Sequence, residues 1–440
     1  MTPTERFVGD FRRFAARPGT AAAPWLAEVR ERAIARFAAS GFPTTRDEDW
    51  KYTNVSRFVG QPFRAAFDLE EATGGARLPS PPALAETALA RLVFVNGRFV
   101  ADRSMVNALP AGVRVENLAV ALRDGDEVVE RHLAKYARFD RSGFTALSTA
   151  FLDDGALLVL ADGIELDRPV EIAFAATAAR GEVVAHPRLL VVCGSGSRLA
   201  LVESYGSTGA TLTNAVAEIV LGDGARLDHV RVVREGERAS HVATTEVVEG
   251  RDSRYRSSTF ALGASFLRHD LNVRLGGEGS ECSLDGLYVA FDGELIDNHT
   301  AIDHAVPHGT SRELYKGVLD GEARAVFNGK VIVRPDAQKS DAQQTNKNLL
   351  LSKNAEVDSK PELQIFADDV KCAHGAAIGQ LDPDALFYLK SRGIGEAAGR
   401  RLLTRGFALE IVQRVPDETL RAALESLVDE RIGRRLEEGR

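Results

Sequence analysis

Three cysteines among 440 residues cannot build a disulfide framework, and no Cys-x-x-Cys occurs. The scarcity of cysteine points to a reducing compartment. Long apolar runs are missing too. The clearest, LLVL at 157–160 and LLVV at 189–192, fall far short of a membrane span. The N-terminal MTPTERFVGDFRRF is charged throughout and lacks the apolar core of a signal peptide. A formal charge of -8 gives no global push toward nucleic acid or an anionic membrane. The expectation is a soluble, cytoplasmic chain with neither as a partner. Nucleotide loops are absent as well. GSGSRL, GDGARL and GEGSEC are Gly-rich, yet none ends in Gly-Lys-Ser/Thr before a helix. No dinucleotide fingerprint sits between strand and helix, and GSGS at 194–197 lacks the setting of a nucleophile elbow. The chain is therefore not expected to hydrolyse ATP by itself.

What is present suggests a folded protein of two or three domains. The apolar fraction of 44% is ordinary for a globular chain. Residues 1–90 read as helical: TERFVGDFRRFAARP and APWLAEVRERAIARFAASG space apolar residues three and four apart. Trp25, Leu26, Val29, Ala33, Ile34 and Phe37 share one side, and Gly41 ends the run. Thr73–Pro82 reads as a Gly- and Pro-rich linker. Residues 91–380 change period. Asn96-Gly97 marks a hairpin, a short helical insertion falls near 116–150, and from Ala156 short β runs dominate. Without helices between them these strands do not form a βαβ sheet. Residues 381–440 are helical again, with Asp382 as N-cap, Pro383 in the first position and Gly393 as the stop. The last helix carries Leu420, Leu424, Leu427 and Val428 on one side. It could dock a partner or pack on its own core.

The turns between the β runs resemble one another. VVCGSGSRLAL, IVLGDGARLDH and VRLGGEGSECSL are the clear cases; GVLDGEARAVF and LLLSKNAEVDS are weaker. Repeated strand–turn units suggest a β-solenoid. A β-sandwich would show the same short strands.

Two clusters carry metal-type side chains. His299 and His304 are five apart, so a strand would point them to opposite faces; His304 and His308 share a face but lie about 13 Å apart. A structural or interfacial role suits these three better than a shared ion. Cys372 and His374 differ: two apart on a strand, they face one way with backbones about 6 to 7 Å apart. Thiolate and imidazole both suit iron or zinc. Two ligands do not close a four-coordinate site, so completion needs another part of the fold or a second chain. The competing reading is a half-buried free cysteine beside a satisfied histidine.

Three segments carry a family resemblance: RDEDWKYTN, FTALSTAFLDDGALLVLADG, and the run from NHTAIDHAVPHG through AQKSDAQQTNKNLLLS to ADDVKCAHGA. With them the chain resembles the SufB/SufD family of the Suf iron–sulfur cluster assembly system from about Phe42 to Val412. Its length and few cysteines resemble the SufD branch. The resemblance implies a mainly β fold, a right-handed parallel β-helix core flanked by N-terminal and C-terminal helical regions. It implies pairing with a SufB-type paralogue through the β-helix and binding of a SufC-type ATPase through the C-terminal helices. Leu386–Ile394 and the helix through Leu409 are the expected ATPase-facing surface. It also implies that Cys372 and His374 form half of a transient iron–sulfur cluster or iron site at the partner interface, the histidine being the stronger candidate. No cofactor is expected to bind this chain stably by itself. SufB-type proteins also relate to a reduced flavin in the assembled complex, although no flavin motif is found here. The unpaired strands of a β-helix make a homodimer of the isolated chain a further expectation. The expectation is a non-catalytic scaffold. The alternative is a stand-alone metal-dependent β-helix enzyme using Cys372, His374 and an acid such as Asp368 or Asp369. A closed pocket holding every ligand would mark the enzyme, and an exposed pair on a flat surface the scaffold.

Overall fold

The computed structural model describes residues 1–17, 23–68 and 87–438. The expected linker at Thr73–Pro82 lies outside them. Two helices open the chain, Pro3–Ala15 and Pro24–Ser40. Thr2 and Glu5 cap the first reciprocally: the Thr2 side chain accepts from the Glu5 N–H and the Glu5 carboxylate from the Thr2 N–H. The second stops at Gly41, whose φ of 65° a side chain would disfavour. Phe7, Phe11, Phe14 and Phe37 bury this helical layer against Phe144 and Phe151 of the insertion. The same cluster covers Val242, Phe266 and Leu295 on the β core.

That core is a parallel β-solenoid, and the pairing pattern separates it from a sandwich. The long strand Arg198–Leu221 turns a corner and pairs in parallel with the strands on either side of it in sequence, and after it each strand pairs in parallel with the strand two places along. In one sheet Arg226 aligns with Arg254, Glu281, Thr310, Asp341 and Lys371, so a turn takes 27 to 31 residues. In the other, Ser240 aligns with Phe266, Leu295, Arg324 and Glu356, at 26 to 32 residues per turn. The similar turns of the sequence belong to two different edges. Those near Gly196 and Gly224 stack at one, the Gly196 N–H reaching the Asp223 carbonyl and the Gly224 N–H the Arg251 carbonyl at 2.7 Å. DGEA at 320–323 and SKNA at 352–355 turn the opposite edge. Two interleaved corner series explain why the sequence repeat looks irregular.

Alternate residues face the lumen. Much of it is apolar, from Leu199 and Leu227 to Leu271 and Ile302. Buried polar groups line it as well, from Glu203, His229 and His241 in the earlier turns to Glu313, Gln344, Asn346 and Asn348 in the last ones. Glycine makes room there: any Cβ on Gly317 would strike the Tyr288 ring.

The two ends of the solenoid are built differently. At the first, Val113–Asn117 pairs antiparallel with Ala156–Leu160, and Ala90–Val95 pairs antiparallel with Arg98–Phe99 and Met105–Val106. The Asn96-Gly97 turn has both φ angles positive, at 50° and 76°, as a two-residue type I′ hairpin requires. At the last, Glu356–Ile365 and Lys371–Gly379 each pair with one strand only among the described residues. Their outer backbone edges face away from the protein.

Three helices follow: Pro383–Ser391, Glu396–Val412 and Glu418–Glu438. Asp382 caps the first, accepting from the Asp384 N–H at 2.9 Å. Ala408, Leu409, Ile411 and Val412, with Leu420, Leu424, Leu427 and Val428, pack on Val232, Phe260, Leu287 and Val318 of the solenoid's outer face. The apolar side of the terminal helix is thus spent on its own core. Leu409 is buried with it, so the surface expected to run through Leu409 turns inward before that residue.

Candidate metal site at the open end of the solenoid

Cys372 and His374 lie on the last strand, Lys371–Gly379, in register with Ala342 and Gln344. Those two belong to the buried, lumen-facing row of the strand below, while Gln343 between them is exposed. Cys372 and His374 therefore continue an inward row past the point where anything covers it. Cys372 is half-buried against Val331, Val333 and Ala342, and His374 is exposed. Burial pushes the Cys372 thiol up from its usual range. The column beneath Cys372 runs Ala342, Ser311, Cys282, Tyr255. Cys282 is fully enclosed there and burial drives its thiol far up; burial likewise raises Cys193 to about 12. Only Cys372 of the three thiols reaches the surface.

Asp368 and Asp369 stand exposed in the bend before this strand. Asp369 pairs with Lys339, and its N–H donates to Gln338 Oε1 at 2.9 Å. Among the described residues no group of three or more His, Cys, Asp or Glu side chains is placed to hold a metal ion. The pair thus offers two ligands on an open surface.

The three clustered histidines stay apart, but the strand ends at His304, so His308 does not share its face as the spacing suggested. His304 points inward, its Nε2 2.9 Å from Ser311 Oγ, and burial lowers it to about 4. His299 faces outward, 3.0 Å from Asp297. His308 sits in a turn with φ 62°, 3.7 Å from Glu278. His299 belongs to a lock between two of the segments singled out in the sequence. Trp50 stacks on the Arg268 guanidinium at 3.8 Å, Thr53 donates to Asp297 at 2.6 Å, and Arg268 pairs with Asp297 at 2.8 Å. Burial opposes ionisation of Asp297, but Arg268 and His299 outweigh it and hold the carboxyl at about 2. RDEDWKYTN thus fastens the N-terminal layer to the solenoid through Arg268 and the first residue of DNHTAIDH, Asp297, beside a cavity of about 280 Å³.

Sequence reasoning missed the polar support below His374. Gln344 Nε2 donates to Glu313 Oε2 at 2.6 Å, and both side chains are buried. The signal was present in SDAQQTNKN, where Gln344, Asn346 and Asn348 alternate. A polar alternation reads as a solvated face until the register shows that it points into the lumen.

Two apolar groups lie exposed near the open end: Ile365, Phe366 and Ile378 on and beside the last strands, and Phe387, Tyr388 and Leu402 on the helices after them. Fold and site together define a parallel β-solenoid protein with an incomplete, surface-exposed pair of metal-type ligands at one end. The sequence matches the family profile described as "SUF system FeS cluster assembly, SufBD core domain" over residues 174–407. It matches "SufBD protein N-terminal region" over residues 1–172. The chain belongs to the SufBD family. A SufBD family protein of Synechocystis is 35% identical over 419 residues, 92% of this chain and 90% of that protein. The iron–sulfur cluster assembly protein SufD of Escherichia coli is 31% identical over 416 residues, 92% of each chain. SufD of Bacillus subtilis is 28% identical over 333 residues, 73% of this chain and 74% of that protein.

Proposed function

We propose that the chain is a SufD-type, non-catalytic scaffold subunit of a SufB–SufC–SufD complex that assembles iron–sulfur clusters. One observation carries this reading: Cys372 and His374 sit on an edge strand paired on one side only, and among the described residues no third His, Cys, Asp or Glu joins them to hold a metal. A SufB-type paralogue docking on that edge could add backbone hydrogen bonds and the missing ligands together. The cluster is cargo, and incomplete ligation from each chain suits a site that must release what it builds. His374 is the readier ligand. Its side chain is exposed, whereas Cys372 is half-buried and its thiol, raised by burial, must lose a proton to bind a metal.

The SufC-type ATPase would meet the helices after the solenoid. Pro383–Ser391 buries no side chain, and Phe387 and Tyr388 on it and Leu402 on the next helix are each exposed. That apolar group supports a docking face that ends near Leu402. The stand-alone enzyme reading lacks a third ligand and an enclosing pocket at this pair among the described residues. The test is co-expression with both partners. A three-component complex carrying iron and sulfide that the isolated chain lacks supports the scaffold; full metal loading by the isolated chain refutes it.

A further inference from the structure

We propose that Gln344 is a positioning residue for His374, fixing which imidazole nitrogen faces the metal. The proposal rests on the reading of His374 as a ligand. Gln344 occupies the register position directly below His374, one strand spacing of about 4.8 Å away. Two constraints pin its amide. Glu313 Oε2 accepts from Nε2 at 2.6 Å. A Cβ on Gly329 would collide with the same Nε2, so the glycine is what lets the amide cross the lumen there. The amide nitrogen is the group that faces Glu313, so the oxygen turns from it.

That oxygen, Oε1, is buried and has no hydrogen-bond partner. A buried acceptor left unpaired is costly and calls for an explanation. The imidazole of the next rung, in register with Gln344, is a donor that can arrive from the open side. When a partner covers the end and excludes water, an N–H of His374 can settle on Gln344 Oε1. Metal-ligating histidines characteristically donate their second nitrogen in this way, which fixes tautomer and ring orientation. The Glu313–Gln344 pair would then act as a rigid support beneath the ligand.

The experiment places ring-¹⁵N-histidine chain in complex with its SufB-type partner and reads the tautomer of His374 by NMR. Wild type should show one tautomer favoured about tenfold, the size of one hydrogen bond. Gln344→Met, similar in length but without an acceptor, should bring the ratio near unity. Gln344→Glu keeps an acceptor oxygen and should restore the preference. If Gln344→Met does not fold, the wild-type spectrum still decides: mixed tautomers in the complex overturn the proposal. Unchanged tautomers in a folded Gln344→Met complex overturn it too. Normal cluster content in His374→Ala would instead defeat the ligand reading, and it is measured separately as iron and sulfide.

Discussion

The first and last turns of the solenoid present the same problem, a sheet with strand edges left over, and answer it in opposite ways. The first end closes: antiparallel strands cap it, and Arg188 and Glu218, both fully buried, pair at 2.5 Å. Glu218 also accepts the N–H groups of Ala134, Tyr136 and Ala137, tying the helical insertion down. The last end stays open. Its last strand is mostly exposed and the one before it half-buried, and Ile365, Phe366 and Ile378 reach solvent. Native proteins usually blunt such edges, so one left bare is either a hazard or a docking site. The cysteine column makes the same point: Cys282 and Cys372 occupy one inward row three turns apart, one sealed and one half-open.

If the closed end is structural and the open end functional, damage should divide accordingly. The largest loss of stability is expected from Arg188→Met. It leaves Glu218 charged and buried without its partner and should cost about 3–5 kcal/mol in chemical denaturation. A cost below about 1 kcal/mol would mean that the closed end is less dependent on the pair than its burial implies.

Next comes Glu313, inside the lumen toward the open end. Burial raises its carboxyl to about 7 from an ordinary 4.5. The folded state therefore holds a proton that the unfolded state has released. Stability from this group is full below about pH 4.5 and falls as pH rises through 7. The loss approaches about 3 kcal/mol by pH 8. Glu313→Gln should flatten that slope in melts between pH 5 and 8; an unchanged slope would assign it elsewhere.

At the exposed helices, Phe387→Asp with Leu402→Asp should leave the melting temperature unchanged. Binding of the SufC-type ATPase should weaken by about 30-fold or more, the scale of an interface hot spot, as read in a titration. Deleting everything after Asp382 is a poorer test, because it would strip the cover from Phe260, Leu287 and Val318. The smallest effect on the fold is expected at the site itself. His374→Ala removes an exposed side chain and should shift stability by no more than about 0.5 kcal/mol.

Much of the architecture was legible in the sequence because it depends on local rules. The Asn96-Gly97 hairpin, the Asp382-Pro383 helix start and the Gly41 stop all form as their residues dictate. The shared face of Cys372 and His374 followed from a period of two. What was not legible depends on partners far apart in the chain. Parallel pairing of residues about 28 apart decides solenoid over sandwich, and no local pattern encodes it. The inward turn of Leu409 depends on the solenoid face it covers. Gln344 and Glu313 are 31 residues apart, and only stacking puts them together below His374.

The central claim is that the open end is a half-site completed by another chain. It is tested most directly by the iron and sulfide content, with the visible absorption spectrum, of the purified three-component complex carrying His374→Ala. The account predicts an intact complex with its cluster lost or strongly depleted. An intact complex with wild-type iron, sulfide and spectrum would contradict it.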